Sequence, residues 1–303
     1  MNVLIVGLGS IARKHIIALN KLEINFKIFA LRSNISKDEK QITNIYNINE
    51  INDKLDFIII SNPTAFHEKT INKLIYLKVP LFIEKPVLKD YKNAIKISKN
   101  LKTNKIPSYV ACNMRFHPSI NFLKKFIDEF NPIINEVNVY SGSYLPDWRK
   151  NKNYKNSYSS QSKMGGGVHL DLIHEIDYSK WIFGFPLKVK SLKRSVSSLE
   201  IDSIDFSNYN LIYNNYSINI ILNYYRKHPK REIELVIKDE TIIVDLLKNS
   251  VYSYKEKRFL FKKKFNIQET YNKQMKYFVE NINKNLMNCF DEGIETLKIA
   301  LNE

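Results

Sequence analysis

The first twelve residues restrict the fold more than any later stretch. Val3-Leu-Ile-Val6 is a short, wholly apolar run of strand composition, and Gly7-Leu-Gly9-Ser10-Ile11-Ala12 follows without a linker. Residues 13–19 then continue as a helix. A strand with no polar face must be covered on both sides, as in a parallel sheet flanked by helices. The G-x-G-x-x-A turn also makes a demand on a ligand. Its first glycine forms the tight turn, its second lets a pyrophosphate approach the backbone, and its small third residue lets helix pack close on strand. Free N–H groups at the helix start attract phosphate. The stretch predicts a dinucleotide-binding unit, with Gly7, Gly9, Ser10, Ile11 and Ala12 against the cofactor.

A second apolar strand, 26–30, should end beside the adenosine ribose, where a carboxylate would receive the 2′-hydroxyl of NAD. Leu31-Arg32-Ser33 stands there instead. A guanidinium and a hydroxyl suit a 2′-phosphate, so NADP is favoured over NAD. Strands over 56–60 and 79–83 end in the clusters Ser61-Asn62-Pro63-Thr64-Ala65-Phe66-His67 and Glu84-Lys85-Pro86, with a helix over 68–77 between them. Ligands of open α/β sheets lie beyond the carboxyl ends of the strands. Asn62, Pro63, His67, Glu84 and Lys85 are therefore expected at the cofactor crevice. After a helix around Ala94, a strand over 108–112 leads into Asn113-Met-Arg115-Phe-His-Pro118.

Further on, Gly165-Gly-Gly167 opens a stretch that reads as one helix running to Gly184. At 100° per residue, Leu172, Ile176 and Phe183 share a face for the core, while Asp171, His174, Tyr178 and Trp181 gather on another. Gly184 and Pro186 end it. A carboxylate and an imidazole three residues apart are neighbours on a helix surface and could act on one substrate atom. The segment before it, 141–163, is too long to be an idle connection. Its Tyr144, Trp148, Arg149 and Tyr158 suit a substrate wall, since aromatic rings stack on sugars and arginine holds carboxylate or phosphate. Strand composition recurs over 133–140 and from 187 to 254, with hairpin turns at Asn214-Asn215, Asp239-Glu240 and Asn249-Ser250. Many of these strands carry apolar residues on both faces. Helices over 268–281 and 292–301 close the chain.

The 303 residues carry 47 Lys and Arg against 31 Asp and Glu, a net charge of +16. Such a charge raises nucleic acid as a partner. The lysines, however, are spread along the whole chain, and the run 255–264 alternates with phenylalanines as a solvated strand would. The expectation is no nucleic-acid partner and an attraction for a phosphorylated or acidic small molecule. Apolar runs fall short of a membrane span, and the apolar part of residues 1–7 is too short for a secretion signal, so no membrane partner is expected. Cys112 and Cys289 supply neither a disulfide framework nor metal-ligand spacing. No metal and a cytoplasmic location follow as expectations.

Taken together, Gly7-x-Gly9, Asn62-Pro63 with His67, Glu84-Lys85-Pro86, Arg115-Phe-His-Pro118 and Gly165-Gly-Gly…Asp171…His174…Asp177 resemble, in order and spacing, the glucose–fructose oxidoreductase/inositol dehydrogenase (Gfo/Idh/MocA) family. The resemblance runs over essentially the whole chain. It implies an α/β fold with an N-terminal Rossmann dinucleotide-binding domain, 1–115. An α+β substrate and oligomerisation domain, 116–303, follows, with a large, mostly antiparallel, open-faced sheet. It implies a homodimer or homotetramer through that sheet. It also implies that Lys85 lies beside nicotinamide and substrate, that His174 is the acid/base, and that Asp171 assists it. Arg115, Tyr144, Trp148, Arg149, Tyr158, Asp171 and His174 are the expected substrate contacts. Asp171 and His174 stand three apart where the family usually has four, and His169 and Glu175 are alternatives for the assisting role. The function implied is NAD(P)-dependent hydride transfer to or from a hydroxyl or keto carbon of a sugar, phosphorylated, nucleotide-linked or acidic. The alternatives are a redox-assisted eliminase or glycosidase, and a non-catalytic sensor on the same fold.

Overall fold

The computed structural model describes residues 1–35, 37, 39, 41–149 and 153–302. The chain divides into two compact units, Met1–Asn113 with Gln268–Leu297, and Met114–Ile267 with Lys298–Glu303.

In the first unit the strands are β1 (Asn2–Val6), β2 (Lys27–Leu31), β3 (Ile42–Ile45), β4 (Phe57–Ile60), β5 (Leu81–Glu84) and β6 (Ser108–Ala111). They form one parallel sheet in the order β3-β2-β1-β4-β5-β6. This is the doubly wound order, whose direction reverses between β1 and β4. The helices α1 (Ser10–Leu19), α2 (His67–Leu74) and α3 (Ala94–Thr103) follow β1, β4 and β5. The central strands are buried almost completely, as their apolar sequences require. β3 was not legible in the sequence, because Ile42-Thr-Asn-Ile45 lies at the sheet edge and carries little apolar signal.

At the reversal point two backbones nearly touch. Gly7 has φ +89°, and a Cβ built on it would stand 2.5 Å from the backbone nitrogen of Asn62. Ser61 closes the contact by donating from its N–H to Val6 O (2.9 Å) and from its hydroxyl to Gly7 O (2.8 Å). The helix Gln268–Asn281, which the sequence reading placed in the second domain, lies in this first unit. Its Phe278 ring packs against Phe57 (5.2 Å), Phe82 (5.2 Å) and Tyr109 (5.8 Å). Three aromatic contacts on the sheet make that position a matter of core burial.

The second unit holds α4 (Pro118–Phe130), which the sequence reading lacked, and then α5 (Val168–Asp171) and α6 (His174–Phe183). Its strands are β7 (Ile134–Tyr144), β8 (Lys188–Arg194), β9 (Phe206–Ile212), β10 (Ser217–Asn223), β11 (Tyr225–Ile237), β12 (Glu240–Asp245), β13 (Ser250–Ser253) and β14 (Arg258–Lys262). They form one sheet, β14-β13-β12-β11-β7-β10-β9-β8, in which only β7 and β10 run parallel. The fold is thus a Rossmann unit joined to a large, mostly antiparallel sheet, as the sequence implies. On β9 and β10 residues alternate between buried and half-exposed. One lateral row on the half-exposed face crosses all eight strands: Lys190, Asn210, Asn219, Asn138, Glu234, Ile243, Tyr252 and Phe259. In its middle, Asn210 donates to Asn219 (2.7 Å), Asn219 to Asn138 (3.3 Å) and Asn138 to Glu234 (3.1 Å). The centre of this face is an amide ladder, and in this row the apolar residues stand at the β12–β14 end. No helix among the described residues is long and apolar enough to cross a membrane.

The two glycines of the first turn should respond oppositely to a methyl group. Gly7→Ala places a Cβ on backbone at positive φ and should cost about 2–4 kcal/mol. Gly9, with φ −91° and nothing within 4 Å of its Cβ position, should tolerate alanine within about 0.5 kcal/mol. Paired denaturant melts test this, and equal losses at the two sites would refute the close approach.

Candidate functional site

At the turn after β1, helix α1 begins without a side-chain cap on Gly9 and without an acidic residue in its first turn. The partial positive charge of its N–H groups is therefore not neutralised locally. Gly9 and Ser10 are exposed, and the space beyond Gly9 is open. An anion can come up to the backbone there, so the residues fit the diphosphate of a dinucleotide. Ile11 is half-buried, and Ala12 is buried where the helix packs close. Arg32, directly after β2, donates its N–H to Ile45 O at 2.8 Å and stays half-exposed; Ser33 is exposed.

The clusters after β4 and β5 divide into exposed and structural parts. Asn62 is half-buried and donates its amide to Thr70 Oγ1 at 2.8 Å, and Pro63 is exposed. His67 is enclosed by backbone. Its Nδ1 lies 3.0 Å from Pro86 O and 3.2 Å from Val87 O, and its Nε2 lies 2.9 Å from Asn62 O. Burial pushes this imidazole below its usual pKa, against the pull of the surrounding carbonyls. It ties the two clusters together and has no open side for a cofactor. Glu84 is also buried, so the geometry removes it from the expected cofactor contacts. Its Oε1 lies 2.5 Å from His15 Nε2, and its Oε2 accepts the Lys85 N–H at 3.1 Å. Lys85 itself is half-buried. His15 was missed in the sequence. It falls on the apolar face of α1 with Ala12, Ala18 and Leu19, and a polar residue in such a stripe is the signal of a buried partner.

In the second unit the glycine turn is walled by backbone. A Cβ on Gly166 would lie 2.2 Å from the Tyr158 carbonyl oxygen. The Tyr158 phenol donates to Gly165 O at 3.0 Å, so this ring braces the turn. The stretch after it is two helices, because Leu172, at φ −98° and ψ 33°, interrupts the expected single one. Leu172 and Phe183 are only half-buried, whereas nearly all of α6 is buried. Four chemical residues sit here, all buried: Asp171, His174, Glu175 and Asp177. His174 is the first residue of α6.

Each of the three carboxylates has a partner from elsewhere in the unit. Tyr224 donates to Asp171 Oδ2 at 2.5 Å. Arg231 Nε donates to Glu175 Oε1 at 2.6 Å. Arg115 grips Asp177 with two bonds, Nε to Oδ2 and Nη2 to Oδ1, both 2.9 Å. The Arg115 guanidinium also lies 5.6 Å from the centre of the Trp181 ring. Arg115 is 2% exposed, which corrects its expected contact with substrate: its charge is spent on Asp177. Glu175 is likewise committed to Arg231. Burial, then the Asp171 charge, pushes the Tyr224 phenol well above its ordinary pKa, so it stays a proton donor. Burial, with Lys193 adding to it, pushes His169 down to about 4. At neutral pH that ring is uncharged and a weak base, which disfavours it as the alternative to Asp171 in the assisting role.

A cavity of about 320 Å³ opens beside this group, lined by Leu145, Pro146, Trp148, Arg149, Asn153, Tyr154, Asn156, Ser157 and Ser159. Trp148 stands edge-on to Tyr224, with ring centres 5.3 Å apart, and donates to Ser143 Oγ at 2.8 Å. Trp148 and Arg149 therefore line a cavity next to the residue that holds Asp171. Tyr144 ends β7 with Lys227 5.7 Å from the centre of its ring, and neither it nor Tyr158 is among the lining residues. Among the described residues no group of three or more His, Cys, Asp or Glu could hold a metal ion.

Fold and turn together define a dinucleotide-binding architecture. Residues 1–111 match the model of the oxidoreductase family with an NAD-binding Rossmann fold. That match covers 111 of the 303 residues and agrees with the resemblance to the Gfo/Idh/MocA group. Inositol 2-dehydrogenase of Leifsonia xyli is 24% identical over 144 residues, 46% of this chain and 38% of that protein. The match spans at most about half the length of the curated relatives. Myo-inositol 2-dehydrogenase of Lactobacillus plantarum superposes with a TM-score of 0.79 at 20% identity, over 99% of this chain and 95% of that one. UDP-N-acetylglucosamine 3-dehydrogenase of Acidithiobacillus ferrooxidans does so at 0.78 and 16%, over 100% and 96%. At such identities these two establish a shared fold.

Two measurements check the buried charges. Arg115→Met strands Asp177 in the core and should cost about 3–5 kcal/mol; a loss below 1 kcal/mol would show the pair to be dispensable. Folding lowers the His169 pKa, so its contribution to stability is complete above the unfolded value of about 6.5 and is lost as pH falls toward about 4. His169→Gln should flatten the pH dependence of stability in that window, and an NMR midpoint above 6 would contradict its burial.

Proposed function

We propose that this protein is an NAD(P)-dependent oxidoreductase that moves a hydride between nicotinamide and a hydroxyl or keto carbon of a sugar derivative. The observation that carries this reading is the open, uncapped start of α1 behind Gly7 and Gly9, in a segment that matches the family model over residues 1–111. Bound there, a nicotinamide dinucleotide supplies the hydride chemistry. The rest falls to side chains. When a secondary alcohol loses hydride, its hydroxyl proton must leave as C–O becomes C=O, and His174 is assigned to take it. Asp171, held by Tyr224, would orient that exchange. Lys85 would hydrogen-bond the substrate and stabilise developing negative charge, its backbone tethered by the Glu84–His15 pair.

A polyol or sugar substrate is supported by the relatives, which are named for inositol and for a UDP-linked amino sugar. An anionic group on it, phosphate, nucleotide or carboxylate, is supported by Arg149 on the wall of the cavity and by the net charge of +16. A place in bacterial surface-sugar synthesis belongs to the same reading. So does a cytoplasmic location, which suits two cysteines that form no disulfide. Assembly as a homodimer or homotetramer would use the half-exposed face of the second sheet. Arg32 and Ser33 at the end of β2 support NADP over NAD.

His174→Ala should lower kcat by about 10²–10⁴ and leave dinucleotide affinity unchanged; near-normal turnover would reject the assignment. Lys85→Ala should also lose activity. Cofactor absorbance followed during turnover distinguishes net oxidation from transient oxidation with elimination, which leaves no net change. In equilibrium titrations NADP should bind more tightly than NAD, and Arg32→Asp should reverse the order.

A further inference from the structure

Near the carboxyl end of β2, three charged residues come from three parts of the first unit. Arg13 lies in the first turn of α1, four residues past Gly9; Arg32 directly follows β2; Glu39 stands ahead of β3. Glu39 is held in place by its backbone, whose carbonyl accepts the Ile42 N–H at 3.0 Å. Arg13 meets the Glu39 carboxylate with a two-pronged contact, Nη1 to Oε2 at 2.6 Å and Nη2 to Oε1 at 2.8 Å. The Arg13 contact, with a smaller contribution from Arg32, holds the Glu39 carboxyl below its usual pKa. An exposed ion pair of this kind adds little stability, so its interest lies in where it stands.

A guanidinium fork that fits a carboxylate also fits a phosphate. The ribose 2′-position of a dinucleotide bound on α1 is expected beyond β2, beside Arg32. We propose that Glu39 is a specificity-determining residue that occupies the Arg13 fork in place of a 2′-phosphate and so limits the preference for NADP over NAD. A 2′-phosphate must displace the Glu39 carboxylate from Arg13 or bind beside its negative charge. A 2′-hydroxyl meets no such repulsion and can donate to the carboxylate. The acid that the sequence lacks immediately after β2 is supplied eight residues beyond Leu31, where strand-end spacing does not look for it. This inference rests on the dinucleotide reading above and adds the group that sets its selectivity.

The test is binding of NAD and NADP, separately, to the full-length protein by isothermal titration, with no turnover required. Removing one unit charge beside a dianion a few ångströms away is worth about tenfold even with water-like screening. Glu39→Gln should therefore tighten NADP at least about tenfold while changing NAD by less than about threefold or weakening it. Arg13→Gln, which removes the fork, should weaken NADP more than NAD. Equal changes for the two cofactors in Glu39→Gln, or weaker NADP binding, would overturn the inference and leave the dinucleotide reading intact. Failure of the wild-type protein to bind either cofactor would overturn both.

Discussion

Three carboxylates within seven residues, Asp171, Glu175 and Asp177, are buried in the second unit, and its organisation follows from satisfying them. A carboxylate removed from water without a partner costs several kcal/mol, so each partner has to be present in the folded state. The partners are distant in sequence: Tyr224 at the β10–β11 junction, Arg231 within β11, and Arg115 ahead of α4. Two of the three reach α5 and α6 from the central strands of the sheet. The third comes from the chain entering the unit. Holding the helices from both directions leaves His174, at the start of α6, in a defined place. It also explains a helix buried almost all round, which an amphipathic stripe would not produce.

The first unit depends on a different constraint, the approach of two backbones. Gly7 and Asn62 stand so close that no side chain fits between them. That contact brings β1 against β4 where the strand order reverses, with the free end of α1 directly above. Beneath it, buried polar contacts connect the turns. His67 joins the turn after β4 to the residues after Lys85, and His15 reaches Glu84 from α1. The substrate role proposed for Lys85 calls for a well-held side chain, which starts from a fixed backbone. The bond from the Lys85 N–H to Glu84 provides that anchoring.

Both glycine-rich turns use the missing Cβ in the same way. At Gly7 the neighbour is Asn62, and at Gly166 it is the carbonyl of Tyr158. In each case the turn leads into a helix, α1 after the first and α5 after the second. The aromatic segment before the second turn is thereby split in its duties. Tyr158 braces the glycines, while Trp148 and Arg149 line the cavity.

The parallel strands and the dinucleotide turn were legible in sequence, because they rest on local rules. An apolar run must be covered, G-x-G-x-x-A has one use between strand and helix, and motif order does not depend on packing. Most sheet strands of the second unit were legible through alternation, whereas edge strand β3 and the interrupted helix at Leu172 were not. Long-range pairing escaped. Arg115, read as a substrate contact, lies against Asp177, and Glu84, read as a cofactor contact, lies against His15, since a charged residue in sequence does not show whether water or a partner receives it. Phe278 likewise carries no label for the sheet it packs on. The sequence by itself determined which chemical groups are present and which local shapes they can take. Only the tertiary structure decided which charges are spent inside the protein and which remain for a ligand, because burial sets the cost of an unpaired charge and burial is a property of the whole fold.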